Sequence, residues 1–207
     1  MLDGVMRRVI DPVLNRAGRW LAARGVTANG VTLAGLALGA VAAALLAAGA
    51  PGWVALIPLL AGRVADGLDG AVARATQKTD FGGYLDIVCD FALYGAIPLA
   101  FVIRDPAANG VAGAVVLWSF YVNGASFLGF AILAAKQGMQ TTTRGEKSLY
   151  FTAGLLEGTE TIVFFVALCL WPAWFAPLAY GFGALCLVTA LSRVLLAQRV
   201  FDRPPVG

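Results

Sequence analysis

Residues 30–49 read GVTLAGLALGAVAAALLAAG, twenty positions without one charged side chain, closed by Ala50-Pro51-Gly52. A helix needs about 20 consecutive apolar residues to cross the hydrocarbon core of a bilayer. The stretch is built largely from Gly and Ala, and small residues let helix backbones approach closely in lipid. It predicts a transmembrane helix, and similar segments follow it. A second span starts near Trp53 and carries Arg63, Asp66 and Asp69 in its second half. A third runs from about Gly82 to Ile103, with Asp86 and Asp90 in its first turns, and stops at Arg104-Asp105-Pro106. A fourth runs from about Val111 to Ala135, before the polar stretch Lys136 to Lys147. A fifth, about Leu149 to Leu170, holds Glu157 and Glu160 and is broken by Trp171-Pro172. A sixth runs from about Phe175 to Ala197.

The whole composition agrees. Of 207 residues, 59% are hydrophobic and 13% charged, whereas a soluble domain carries about 25% charged residues. The fold class expected is therefore an all-α integral membrane protein with six transmembrane helices. Residues 1–24 read differently. Val5, Val9, Ile10, Val13, Leu14 and Leu21 alternate with Arg7, Arg8, Arg16, Arg19 and Arg24. Arginines interrupt any apolar core, so this is no signal peptide. The pattern predicts an N-terminal amphipathic helix over residues 1–26, lying at the interface with its arginines toward anionic headgroups. Residues 27–207 form the six-span domain. Trp53, Trp171 and Trp174 near span ends fit the interfacial aromatic belt.

Loop charge sets the orientation. One side collects the N-terminal arginines, Arg74, Lys78, Lys136, Arg144, Lys147, Arg199 and Arg203, and the other holds Arg104 alone. The positive-inside rule places both termini on the cytoplasmic side. With no cleavable signal and no organelle signature, the expected location is a cytoplasmic (inner) membrane.

The chain has no histidine. That excludes Ser-His-Asp and Cys-His catalysis and any histidine metal ligand. Cys89, Cys169 and Cys186 lie far apart in apolar surroundings and read as buried small hydrophobes. The acids stand out instead. Asp66 and Asp69 are i, i+3 and share a helix face; Asp86 and Asp90 are i, i+4 and share another. A short connection folds the two helices antiparallel, so the pairs can face each other. Carboxylates at a membrane are costly unless compensated. Two divalent cations would neutralise four of them, and an all-oxygen ligand set suits hard ions such as magnesium, manganese or calcium. Such paired ions suit phosphoryl chemistry on a diphosphate, and a carboxylate not committed to metal can take a proton from a hydroxyl. Gly67, Gly70 and Ala73 clear a helix face for a bulky diphosphate, and Arg74 follows at the helix end.

The stretch Asp66 to Asp90 resembles the signature of the CDP-alcohol phosphotransferases, DxxDGxxAR, a spacer, then GxxxDxxxD. Asp66, Asp69, Gly70, Ala73, Arg74, Gly82, Asp86 and Asp90 fill every fixed position. The spacer, Ala75 to Phe81, is seven residues where the family usually has eight. Thr27-Ala28-Asn29-Gly30-Val31-Thr32 is similar to the family's TPNxxT lead into span one, with Ala28 in place of Pro. The resemblance implies that Asp66, Asp69 and Asp86 bind two Mg or Mn ions, with Asp90 completing the second site and acting as general base. It implies that Asn29 and Thr32 line a nucleotide pocket, with Asp66, Gly70, Ala73, Arg74 and Gly82 around the diphosphate. It also implies a CDP-linked donor (CDP-diacylglycerol), release of CMP, and a homodimer.

With that donor, the acceptor the resemblance implies is a small alcohol. Lys136, Arg144, Lys147 and the intramembrane Arg193 would suit a phosphorylated one, such as glycerol phosphate or inositol phosphate. Arg144-x-Glu146-Lys147 is similar to the RxER-like start of span five in some inositol-phosphate-using members. Glu157 and Glu160 fit structural pairing with Arg63 or Arg193, hydrogen bonding to a polyol, or a cationic acceptor. Two other functions are compatible with the sequence: transfer from a soluble CDP-alcohol to diacylglycerol, and ion or proton transport through the intramembrane acids. Nothing suggests a nucleic-acid partner.

Overall fold

Short polar and glycine signals set the helix ends. Thr27 caps α2 (Ala28–Ala47) by accepting a hydrogen bond from the Gly30 N–H at 3.2 Å. Gly49, at φ +81°, closes the same helix, with its N–H and that of Ala50 turned back to the carbonyls of Leu46 and Leu45. Pro51 then leads into α3 (Gly52–Ala75). Thr79 caps α4 (Asp80–Arg104) through the Gly82 N–H at 3.0 Å. Asp105 caps α5 (Pro106–Lys136) through the Ala108 N–H at 3.0 Å. Pro106 is at home in a first turn, where its missing N–H costs nothing, so α5 starts earlier than its apolar run suggests. The remaining elements are α1 (Asp3–Ala22), α6 (Gly158–Leu170), a single 3₁₀ turn (Pro172–Trp174) and α7 (Phe175–Phe201). This computed structural model describes residues 3–139, 156 and 158–202, and all its elements are helical.

Among the described residues, four segments are long and apolar enough to cross a bilayer: α2, α4, α5 and Pro172–Phe201. Large side chains such as Ile57, Val111, Tyr121 and Leu191 are more than half exposed on the outside, as a lipid-facing surface requires. The chain is thus a multi-pass membrane protein. α3 is comparable in length, but Arg63, Asp66, Asp69 and Arg74 occupy its second half. The first part of the expected fifth span, with Glu157, lies outside the described residues. α6 is its apolar remainder.

The packing gives α2 a central role. Gly62 faces the Gly35 carbonyl, 2.9 Å from where a Cβ would stand, so α2 and α3 touch backbone to backbone. On another face of α2, Gly39 receives the Leu93 side chain of α4. α2 therefore packs on both α3 and α4, while the backbones of α3 and α4 barely approach each other. A wedge opens between these two helices, and their polar side chains meet across it. The apolar end of the bundle is close-packed: Phe101 stacks on Phe175 at 4.9 Å and Phe164 on Phe182 at 4.1 Å between ring centroids. Cys89, Cys169 and Cys186 are free and buried, as expected. α1 is docked on α3, with Gly18 against Ala71 and Leu14 over Gly67.

Candidate active site

The wedge between α3 and α4 collects the acids. Asp66, Asp69 and Asp86 each bring a carboxylate oxygen within 4.8 Å of the others. Asp69 is the most enclosed, at 7% exposure, while Asp66 and Asp86 are half-buried. Thr32 of α2 donates its hydroxyl to Asp69 Oδ2 at 2.6 Å, which fixes the orientation of that carboxylate. Three carboxylates so placed, with no nitrogen or sulfur donor among them, fit a hard divalent cation. Bare, they would repel one another; an ion between them offsets that repulsion and their desolvation.

Asp90 lies one turn deeper on α4 and stands outside this trio. Its Oδ1 accepts from Arg63 Nη1 at 2.7 Å. Its Oδ2 accepts a long bond from Tyr94 Oη at 3.4 Å. Arg63 also approaches Asp66 at 3.6 Å. Arg63 and Tyr94 are therefore site residues that the motif alone does not reveal. Their spacing gave the signal: Arg63 precedes Asp66 by three positions and Tyr94 follows Asp90 by four, so each shares a helix face with its acid.

The other expected site residues divide. Asn29 and Thr32 lie in the first turns of α2, beside the acids. Asn29 Oδ1 stands 3.2 Å from the position of a Cβ on Gly82, so any larger residue there would press on it. Gly70 lies one turn before Arg74, whose Nη1 would be 3.3 Å from a Cβ on Gly70. Arg74 itself is turned toward α1: Nε and Nη2 donate to Asn15 Oδ1 at 3.1 and 2.9 Å. Asn15 carried no signal in the sequence. The space beside Gly67 does not open to a ligand, because Leu14 fills it; that small residue seats α1. Ala73 is half-buried on the same helix. The spacer is helical at both ends and non-helical over 76–79, so its missing residue falls in a turn, where a length change is tolerated.

Of the residues expected to meet the acceptor, Lys136 ends α5 and is exposed, and Arg144 and Lys147 lie outside the described residues. Arg193 is inside the bundle. Its Nη1 donates to the Asn123 carbonyl at 3.1 Å, the Asn123 side-chain oxygen at 3.0 Å and Ser126 Oγ at 2.6 Å. Arg63 and Arg193 thus have partners other than the two glutamates suggested for them. Glu157 falls outside the described residues, and Glu160 sits in the first turn of α6.

Known proteins resemble the chain in sequence and in fold. The inner membrane protein YnjF of Escherichia coli (strain K12) is 46% identical over 196 residues, which is 94% of each chain. The crystal structure of the phosphatidylinositol phosphate synthase PgsA1 of Mycobacterium tuberculosis, solved with CDP-DAG bound, superposes with a TM-score of 0.63. It covers 94% of this chain and 96% of its own at 22% identity, so it has the same fold. The family pattern for CDP-alcohol phosphatidyltransferases matches residues 25–197, which include the whole wedge between α3 and α4. By fold, by sequence and by its aspartates, the chain belongs to the CDP-alcohol phosphatidyltransferase family, the membrane transferases of phospholipid synthesis.

Proposed function

We propose that the chain transfers a phosphatidyl group from CDP-diacylglycerol to the hydroxyl of a small alcohol and releases CMP. The observation that carries this reading is the convergence of Asp66, Asp69 and Asp86 within 4.8 Å beside Asp90, at the family's signature positions. The first three would hold divalent magnesium or manganese, two ions when Asp90 joins them. Bound there, the metal supplies charge to offset the diphosphate and the leaving phosphate. Asn29, Thr32, Gly70, Ala73 and Gly82 surround the space for the nucleotide and diphosphate, and Arg74 stands at its edge. Asp90 takes the proton of the acceptor hydroxyl. The hydroxyl oxygen bonds to the lipid-side phosphorus, the phosphoanhydride bond breaks, and its electron pair leaves on CMP.

A phosphorylated acceptor, such as glycerol phosphate or inositol phosphate, is favoured by Arg193. A guanidinium inside the bundle can meet an anion strongly, since little solvent screens it. Lys136, Arg144 and Lys147 would add to the same field. In this reading the apolar runs of the sequence support six spans, and the excess of Lys and Arg in the loops on one side supports a cytoplasmic site with both termini on that side.

The test is CMP release by purified protein in lipid–detergent micelles with CDP-diacylglycerol and magnesium or manganese. Glycerol phosphate, inositol phosphate, inositol, serine, ethanolamine and choline would be offered separately. Release with a phosphorylated acceptor, abolished by chelator and by Asp90→Asn, is the expected result. Reaction only from a soluble CDP-alcohol onto diacylglycerol would overturn the donor assignment. Ion flux in liposomes without CMP release from any donor would overturn the transferase reading.

A further inference from the structure

The mechanism above leaves one charged group in the wedge without a task. Arg63 has a side chain only 9% exposed and reaches two acids, Asp90 at 2.7 Å and Asp66 at 3.6 Å. Its Nε is buried and has no hydrogen-bond partner among the described residues. The cost of desolvating this guanidinium is therefore only partly offset. It is held by the carboxylates rather than by a complete set of its own bonds, unlike an arginine built in as a permanent brace.

The position is informative too. The trio Asp66, Asp69 and Asp86 can close on one ion without Asp90. A second ion needs a carboxylate beyond the trio, and Asp90 is the neighbouring one. Its Oδ1 is already taken by Arg63 and its Oδ2 is the atom nearest Tyr94 Oη. A divalent ion at Asp90 and the Arg63 guanidinium would be like charges contending for one oxygen.

We propose that Arg63 is an internal cation that competes with a second divalent ion for Asp90, so that the cluster fills in order, the three-aspartate end first. Arg63 is then a positioning residue. It holds the Asp90 carboxylate in place until an ion arrives and must give up that oxygen for the second site to fill. This rests on the reading of the aspartates as a metal site.

The experiment is manganese titration of the full chain in detergent, followed by equilibrium binding and by the electron paramagnetic resonance of bound Mn²⁺. Wild type, Arg63→Gln, Arg63→Lys and Asp90→Asn would be compared, each first shown helical and monodisperse. Wild type should bind manganese in two classes of unequal affinity, with the spin-coupled pair signal appearing only after the first class is full. Arg63→Gln should tighten the second class by about tenfold or more, the scale of a close charge pair, and the first class by less, because Arg63 stands 3.6 Å from Asp66 but 2.7 Å from Asp90. Arg63→Lys keeps the charge and should stay near wild type, and Asp90→Asn should lose the second class alone. Two equal sites in wild type, or a second class unmoved in Arg63→Gln, would overturn the proposal. So would weakening of both classes in Arg63→Gln, which would make Arg63 a structural brace. No manganese binding by wild type would remove the metal reading itself. Ordered filling without CMP release would uphold the proposal and count against only the transfer reaction.

Discussion

Arg63 on α3 and Arg193 on α7 are both arginines enclosed by the helix bundle, and their surroundings are opposite. Arg63 meets carboxylates, Asp90 and Asp66. Among the described residues, Arg193 donates only to neutral oxygens, those of Asn123 and Ser126. Its guanidinium also faces the Phe127 ring at 5.7 Å. Hydrogen bonds to neutral dipoles satisfy donors without cancelling charge. The charge of Arg193 is therefore not cancelled by these partners, whereas that of Arg63 is balanced by acids already present. One bundle thus carries one basic group paired with acids and a second bonded to neutral oxygens.

Removing the acid from the first pair should have the largest effect. Asp90→Asn deletes the proposed base and leaves Arg63 facing a neutral amide. The expected loss in CMP release is at least about 10²- to 10⁴-fold, the range of general-base catalysis, together with loss of the second manganese site. An activity within a few-fold of wild type would show that Asp90 only balances Arg63. The second arginine gives the matching test. Arg193→Gln keeps a donor for Asn123 and Ser126 but removes the charge. It should raise KM for a phosphorylated acceptor by about 10- to 100-fold, as expected for charge-assisted bonds, with kcat and donor KM little changed. Equal damage with an unphosphorylated alcohol would make Arg193 structural, and the contrast between the two arginines would fail.

The sequence carried most of this architecture because its signals were strong and local. The uncharged run 30–49 is a helix from Ala28 to Ala47, ended by Gly49 and Pro51 as the composition suggests. The spacing of Asp66, Asp69 and Asp86 placed three carboxylates together, since i, i+3 periodicity and a four-residue turn at 76–79 leave little freedom. The partners were less legible. Arg63 was visible as a charge in an apolar run, but whether it would meet Glu157, Glu160 or Asp90 depends on how far α2 pushes α3 from α4. That wedge is a property of three helices packed together, and no single helix's periodicity encodes it. The small residue at Gly67 was misleading for the same reason. Smallness signals close approach, and sequence does not say whether a ligand or the Leu14 side chain approaches.

Thr32 sharpens the comparison in miniature. It does for Asp69 what Asn123 and Ser126 do for Arg193: a neutral dipole orients a charge without cancelling it. Thr32→Val keeps the shape and removes the donor. Metal affinity at the three-aspartate end should fall about tenfold, the low end for an outer-shell partner, and saturating manganese should restore most activity. A loss that no manganese concentration recovers would mean that Thr32 acts through its place beside the nucleotide and not through Asp69.

The smallest effect belongs to a third arginine that shares the neutral-acceptor pattern but lies in the open. Arg74 is exposed, and its two bonds go to the Asn15 oxygen of α1. Solvent competes for such bonds, so each contributes little. Asn15→Ala frees Arg74 to turn toward the wedge and loosens one tie between α1 and α3, while Gly18 and Leu14 keep α1 docked. CMP release should change by less than about fivefold, in either direction, since a net bond of about 1 kcal/mol is at stake. Arg74→Ala should cost more than Asn15→Ala if the guanidinium reaches the diphosphate, because the first removes the charge and the second only its tether. Equal effects of the two variants would mean that Arg74 serves α1 rather than the substrate. The signature arginine would then belong with Arg63, its bonds spent within the protein, and Arg193 would be the bundle's anion-binding guanidinium.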